Sequence, residues 1–268
     1  MAEDKDILLK ADCISIVFGG LKAVTDFSCV LHRHELLGLI GPNGAGKTTV
    51  FNMLSGVYTP TSGRITFYSS KGKEYKVNGM KPHQLLAAGI SRTFQNIRLF
   101  GSMSVEDNVK IALDGQRKMN PFDACFRTPR YYTEEKRQQE KTESILELFG
   151  IVDKRQELSK NLPYGEQRKL EIARALAADP DLLLLDEPAA GMNPQETDSL
   201  MHLISDIREK FQTAILLIEH DMHFVMGICE RLMVLDYGKT IAQGLPEEIQ
   251  QNPAVIKAYL GQEAMIDA

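Results

Sequence analysis

The octapeptide Gly41-Pro42-Asn43-Gly44-Ala45-Gly46-Lys47-Thr48 constrains this chain more than any other segment. It fits G-x-x-x-x-G-K-[ST], in which glycines let the backbone curl until successive N–H groups point inward at phosphate oxygens. Before it runs Leu36-Leu37-Gly38-Leu39-Ile40, a short apolar stretch that suits a strand buried on both faces. After it a helix is expected from about Lys47 to Leu54, presenting its positive end to the same phosphates. That setting separates the segment from a plain tight turn and makes it a nucleotide site. Lys47 is placed to neutralise β- and γ-phosphates and Thr48 to ligate Mg²⁺. Thr49, next in the first helical turn, is counted with the nucleotide-binding residues.

A second signal lies far along the chain, where Leu182-Leu183-Leu184-Leu185 runs into Asp186-Glu187. Ligands of a parallel sheet bind beyond the carboxyl ends of its strands. An acid there can hold Mg²⁺ while its neighbour polarises an attacking water. Asp186 is assigned to the metal and Glu187 to the water; an exposed acidic pair at a strand end is the alternative. Gln95, after an expected short strand, can touch the metal or the water, or be ordinary polar surface. His220 and His223 are spaced H-x-x-H, but no further ligand motif accompanies them, and zinc takes three or four ligands. A metal pair is therefore rejected.

The rest of the chain reads as strands alternating with helices. Strands are expected at Ile7 to Val17, Arg64 to Tyr68, Thr213 to Ile218 and Arg231 to Leu235. Helices are expected from Gly165 to Ala178 and from Pro194, where Leu200, Leu203, Ile204 and Ile207 form a core stripe. A short helix after Ile218, a turn at Tyr237-Gly238 and a helical tail complete this half. Between the halves, Ser104 with Asp107 marks a helix start. Residues 114–132 read as loop, and a mixed-charge helix is expected from Thr133 to Phe149, stopping at Gly150. The pattern implies a mostly parallel α/β sheet with an inserted helical block.

Composition limits the function. A net charge of −5 argues against a general nucleic-acid binder. The four cysteines, Cys13, Cys29, Cys125 and Cys229, contain no C-x-x-C pair and are expected to be free thiols. The acidic start, Met1 to Asp6, does not resemble a signal peptide, and no apolar run reaches the roughly 20 residues of a membrane span. The chain is expected in the cytoplasm.

Together with these motifs, Leu162-Pro163-Tyr164-Gly165-Glu166-Gln167-Arg168 opens a helix shortly before Asp186, and the whole resembles the ATPase subunit of ABC transporters. LPYGEQRKLEIARAL, DEPAAGMNP, TFQNIRLF and NPAVIKAYLG narrow the resemblance to the LivG-type ATPase of branched-chain amino-acid importers. It implies a P-loop NTPase core with an antiparallel β subdomain and an inserted helical subdomain. The expected division is core at 1–95 and 161–245, helical subdomain at 96–160 and tail at 246–268, all within one ABC ATPase domain.

The resemblance further implies that ATP and Mg²⁺ are bound. Lys47 and its loop, Gly41 and Asn43 to Thr49, would hold the phosphates, and Thr48, Gln95 and Asp186 the metal. Glu187, His220 and Gln95 would serve catalysis, with His220 reporting the γ-phosphate. Tyr164, Gly165 and Glu166 of the signature would cap ATP held by another subunit. Phe18, which is otherwise as readily a core residue, matches the aromatic that stacks on adenine. The implied partners are a second ATPase subunit (a different chain or a copy of this one), two permeases and, indirectly, an extracytoplasmic solute-binding protein. No nucleic-acid partner is expected. The implied location is the inner face of the cell membrane, with urea, amide or lipopolysaccharide systems as alternative settings and a nucleic-acid ATPase as a more distant one. Two departures stand out: the family's signature serine is Pro163 here and its first glycine Tyr164. Asn193 also stands where the family often has an aspartate.

Overall fold

The structure is a computed structural model that describes residues 6–114, 126 and 128–266. Strands β1 (Ile7–Phe18) and β2 (Leu21–His32) form an antiparallel hairpin that turns at Gly19-Gly20, both at positive φ. Strand β3 (Leu36–Ile40) then leaves for a second sheet, while β4 (Ser62–Tyr68) pairs with β1 and β5 (Glu74–Lys76) with β4. The first sheet is antiparallel, in the order β2-β1-β4-β5.

The second sheet is built on β3, with β6 (Ile90–Arg92), β7 (Leu182–Asp186), β8 (Ala214–Ile218), β9 (Arg231–Asp236) and β10 (Lys239–Gly244). Its order is β10-β9-β3-β8-β7-β6, parallel throughout except for β10 against β9. Strands β3, β7 and β8 are buried along their full length. Their alternating side chains feed two different cores, which is why the sequence there is continuously apolar rather than alternating. Leu37, Leu39, Leu184 and Leu216 pack with Val50, Phe51 and Leu54 of the helix Lys47–Leu54 and with Ile14, Phe27 and Phe67 of the antiparallel sheet. Leu36, Leu183, Leu185 and Leu217 pack on the other side against Ile172, Leu176, Ile204, Ile207 and Phe224.

The helical block also closes on this second core. Ser104 Oγ accepts from the Asp107 amide at 3.0 Å and donates to its carboxylate at 2.7 Å, starting the helix Val105–Asp114 as expected. The helix expected from Thr133 begins four residues earlier, at Pro129–Leu148, so 129–132 is not loop. Pro129 occupies the first helical position, where its missing N–H is not needed, and starts the helix rather than breaking it. At the other end of the expected loop Asp114 still belongs to the helix Val105–Asp114, and residues 115–125, with Cys125, and 127 lie outside the described residues. Gly150, at φ 66, terminates the helix. Val109, Leu113, Ile145 and Leu146 pack together with Leu170 and Ala173 of the helix Tyr164–Ala177.

Strand β2 has no counterpart in the sequence reading. Its alternation is interrupted at Asp26, a non-glycine residue at φ 49 inside an irregular register with β1. Strand β10, after the turn at Tyr237-Gly238, likewise has no counterpart in the sequence reading, and helices follow at Pro246–Gln250 and Pro253–Ile266. Among the described residues no helix is long and apolar enough to cross a membrane. Cys29 and Cys229 are buried thiols and Cys13 is an exposed one. Burial pushes the Cys29 thiol up to about 12, which leaves it inert as a nucleophile at neutral pH.

Because Leu217 is fully buried on the central strand, Leu217→Ala is expected to cost about 2–5 kcal/mol. Leu21→Ala, at a residue 71% exposed, should stay within about 0.5 kcal/mol. Urea denaturation midpoints of the two variants against the parent check the contrast.

Candidate functional site

Parallel pairing brings four strand ends to one edge of the sheet. Gly41 follows β3, Thr93 to Gln95 follow β6, Asp186-Glu187 close β7, and Glu219-His220 follow β8. With β8 between β3 and β7, the glycine-rich loop and the acidic pair flank one crevice.

The loop is shaped by glycine where no other residue fits. At Gly41 (φ 147) a Cβ would lie 2.1 Å from the Leu235 carbonyl oxygen, and at Gly46 (φ 99) it would lie 2.9 Å from the Ala23 carbonyl oxygen. The loop is also tied back to the protein, since the Gly238 amide donates to Ala45 O at 2.9 Å. Lys47 is buried, and its ammonium donates to Gly41 O at 2.6 Å and Pro42 O at 2.9 Å. Burial lowers its pKa, and the nearby Glu187 carboxylate opposes the shift. Asn43, Gly44 and Thr48 are exposed on the open side, Thr49 is half-buried, and Ala45 is buried beneath the loop.

Glu187 stands at the centre of the opposite wall. The Gln95 amide donates to Glu187 Oε2 at 2.9 Å, and His220 Nδ1 lies 4.0 Å from Oε1. Glu187 adopts φ 47, a left-handed conformation that costs a non-glycine residue of order 1–3 kcal/mol and persists only when the surroundings impose it. Two contacts impose it. The Glu187 amide donates to Ile218 O at 3.0 Å, and its carbonyl accepts from Arg168 Nη2 at 2.7 Å.

Asp186 is buried, and Arg92 Nη2 donates to its Oδ2 at 2.7 Å. Arg92 is held in turn by Asn52 Oδ1 and Ser55 Oγ, each at 2.7 Å, and lies 5.1 Å from the centre of the Phe94 ring. The Thr48 hydroxyl, the Gln95 carboxamide and the Asp186 carboxylate are oxygen donors of the kind a hard cation such as Mg²⁺ takes, with Asp186 buried behind the crevice and one of its oxygens paired with Arg92.

The signature residues lie on the first turn of Tyr164–Ala177, where Gly165 is buried and Tyr164 is 47% exposed. A Cβ at Gly165 would meet Glu196 Oε1 at 2.8 Å, and the Tyr164 ring covers Gly191. Glu166 is engaged within its own chain, both carboxylate oxygens accepting from Lys154 Nζ at 2.6 Å. Asn193 is also engaged: its Oδ1 accepts from the Glu196 amide while Glu196 Oε2 accepts from the Asn193 amide, both at 3.0 Å. Its side chain therefore caps a helix here.

Phe18 is no core residue; it is 43% exposed at the hairpin tip, edge-on to Tyr58 with ring centres 5.2 Å apart. His223 pairs with Asp198 at 3.1 Å, whereas His220 sits beside Glu187 and Glu219, so the two histidines do not face a common point. No group of three or more metal-ligating His, Cys, Asp or Glu occurs among the described residues.

At this edge of the sheet Arg168, Glu171 and Glu219, all buried, and Arg92, whose side chain is 8% exposed, escaped the sequence reading. Glu219 accepts from the Ala189 amide at 2.7 Å and the His220 amide at 3.1 Å; burial pushes its pKa up, and these donors oppose the rise. A signal existed for two of them. Arg168, Glu171, Ile172 and Ala175 have the i, i+3, i+4, i+7 spacing that puts them on one buried helix face.

A groove of about 750 Å³ opens beside the site, between the helix Pro82–Ala88 and the helical block. Exposed Leu86, Phe100 and Ile111 line it with Phe94, Arg98 and Arg174. Arg98 stacks 4.0 Å from the Phe94 ring centre, and Arg174 lies 5.5 Å from that of Phe100.

Residues 24–190 match the family described as ABC transporter, and residues 239–265 match the one described as branched-chain amino acid ATP-binding cassette transporter. The chain is 45% identical over 255 residues to the high-affinity branched-chain amino acid transport ATP-binding protein LivG of Salmonella typhimurium, covering 95% of this chain and 98% of that one. It is 41% identical over the same length, with the same coverage, to the corresponding protein BraF of Pseudomonas aeruginosa. In structure it is similar to an ATP-binding cassette of an ABC transporter crystallised in its ADP conformation. That likeness has a TM-score of 0.80 and 28% identity, over 95% of this chain and 99% of the other.

The Arg92–Asp186 pair is almost dry, with side chains 8% and 3% exposed. Removing one partner of such a pair strands a buried charge, so Arg92→Met is expected to cost about 3–5 kcal/mol. Arg92→Lys should recover part of that. Thermal unfolding of both variants, which should fall by several degrees in the order parent, Lys, Met, is the measurement.

Proposed function

Because this chain belongs to the ATP-binding subunits of ABC transporters, an ATPase family, we propose that it hydrolyses ATP, with Mg²⁺, to power an importer of branched-chain amino acids. The observation that carries the cargo is the full-length likeness to LivG, extending into residues 239–265.

In this reading Lys47 exchanges the carbonyls of Gly41 and Pro42 for the β- and γ-phosphates of ATP, assisted by the loop amides between Gly41 and Thr49. Phe18 stacks on adenine from the hairpin tip. Thr48, Gln95 and Asp186 hold Mg²⁺, which spreads the phosphate charge when bound. Glu187 orients and deprotonates the attacking water. His220 donates toward the γ-phosphate. Gln95, bonded to Glu187 at 2.9 Å, swings from the carboxylate to the metal or water as the site fills.

The exposed first turn of Tyr164–Ala177 supplies Tyr164, Gly165 and Glu166 to ATP held by a second ATPase subunit, a different chain or a copy of this one. Pro163 carries no hydroxyl, so this capping rests on backbone amides and the helix end. The groove beside Gln95, apolar with arginines at its margin, suits a short helix of a membrane permease. Two permeases above two ATPases, fed by an extracytoplasmic binding protein, place the chain on the inner face of the membrane. The division into core at 1–95 and 161–245, helical subdomain at 96–160 and tail at 246–268 follows the same plan.

Two experiments test this. Glu187→Gln should bind a fluorescent ATP analogue within about two-fold of the parent and lose about 10²-fold or more in kcat, the scale of a lost general base. Hydrolysis at the parent rate would remove Glu187 from that role. Capture of the tagged chain from native membranes, followed by mass spectrometry, should return two permeases and a second ATPase subunit. Recovery of only nucleic-acid enzymes, or of permeases for a different solute, would overturn the amino-acid importer.

A further inference from the structure

One side chain connects more of the site than any residue assigned above. Arg168 is completely buried, one helical turn inside the first turn of Tyr164–Ala177. Its Nη1 donates to Phe94 O at 2.6 Å and to Glu171 Oε2 at 2.8 Å. Its Nη2 donates to Glu187 O at 2.7 Å and reaches Gln95 O at 3.1 Å. Glu171 is also buried, and its other oxygen accepts from the Arg98 amide at 3.1 Å. One planar guanidinium thus fixes the peptide of Glu187, in its left-handed conformation, the peptide of Gln95 and the segment leading to the groove.

A buried arginine is costly to maintain unless its donors are used, and here the two terminal nitrogens are spent on the carbonyls of Phe94, Gln95, Asp186 and Glu187 and on Glu171, while the buried Nε has no partner, so the guanidinium is placed for the hydrolytic wall rather than for its own full satisfaction. A core ion pair with Glu171 alone would not need those carbonyls. The same helix begins with Tyr164 and Gly165, the turn proposed above to face a nucleotide on another subunit. The geometry points to Arg168 as a positioning residue that moves Glu187, Gln95 and the signature turn as one body, so that closing one nucleotide site aligns the base of the other. This coupling rests on the two-subunit reading above; the positioning of Glu187 and Gln95 does not.

The test uses the assembled complex recovered from membranes, with Arg168→Met and Arg168→Lys introduced into this chain. Arg168→Met should lower kcat about ten-fold or more, with KM and fluorescent-nucleotide affinity within about two-fold of the parent. Arg168→Lys, which can still reach one or two carbonyls, should restore part of that loss. In a Glu187→Gln background, the parent complex should retain ATP through gel filtration and the added Arg168→Met should release it. Parent kcat in folded, nucleotide-binding Arg168→Met would overturn the proposal. So would equal loss of affinity and kcat, or failure of both variants to assemble, since Arg168 would then be only a core residue. If Glu187→Gln alone retains no ATP, the two-subunit reading fails instead, and Arg168 is judged on the separation of kcat from KM.

Discussion

Pairing of β3 with β8, and of β8 with β7, sets the distance between the phosphate loop and the acidic pair, and almost every feature of the site depends on it. Neither half works chemically alone. The loop offers amides and one ammonium to an anion, and the acids repel one. Held across a single intervening strand, they set an ammonium and loop amides on one side of a crevice and a carboxylate on the other, the arrangement that the proposed function uses to attract phosphate from one side and orient water from the other. The register is enforced from both faces at once. Leu184 and Leu216 face the core that includes the helix Lys47–Leu54, while Leu185 and Leu217 face the helices behind. A one-residue slip would exchange those cores and carry Asp186 and Glu187 out of reach.

The charges at this edge illustrate how a dry site tolerates acids. Asp186, Glu171 and Glu219 are buried, and each is compensated differently: by the Arg92 guanidinium, by Arg168, and by backbone amides. Glu187, with its side chain 21% exposed, is the acid left facing the crevice, where it accepts from the neutral Gln95 amide, lies 4.0 Å from the His220 imidazole and acts on the Lys47 ammonium across the gap. That asymmetry matters for the two roles. An acid bound tightly by a cation makes a fixed electrostatic wall, whereas one held by a neutral amide keeps its lone pairs available for water.

Much of the fold was legible because it is written in local chemistry. The apolar run Leu36–Ile40 forms the strand it suggests, and the helix expected from about Lys47 to Leu54 forms there, since an apolar run, three glycines at positive φ and a lysine leave little choice. The stripe of Leu200, Leu203, Ile204 and Ile207 was likewise clear, and all four are buried. Strand β2 was missed because its inward residues, Val24, Phe27, Cys29 and Leu31, lose strict alternation at Asp26, an irregularity that only pairing with β1 explains. Pro129 falls in the stretch 114–132 that reads as loop, although a proline can also open a helix, as it does here; the choice depends on what precedes it. In the site, the residue types that meet phosphate were legible, but the arginines behind them were not. Arg92 and Arg168 act on carbonyls and carboxylates distant in sequence, and no local pattern reveals a partner 94 or 19 positions away.

The signature departures follow from the same division between local and distant chemistry. A serine hydroxyl in that motif would be a side-chain donor, and Pro163 removes it along with its own N–H. What remains is the helix end itself, with a Cβ at Gly165 falling 2.8 Å from the Glu196 carboxylate, which would have to shift, and Tyr164 laid over Gly191. Both contacts join the signature turn to the start of the helix Pro194–Phe211, whose cap is Asn193. The turn is therefore braced from the front by the Gly191–Glu196 segment and from behind by Arg168. In the proposed capping of another subunit's nucleotide the donors would be backbone amides, which need that rigidity because amides cannot rotate into place as a hydroxyl can. The loss of the serine and the buried bracing are thus two sides of one arrangement: fewer donors, held more firmly.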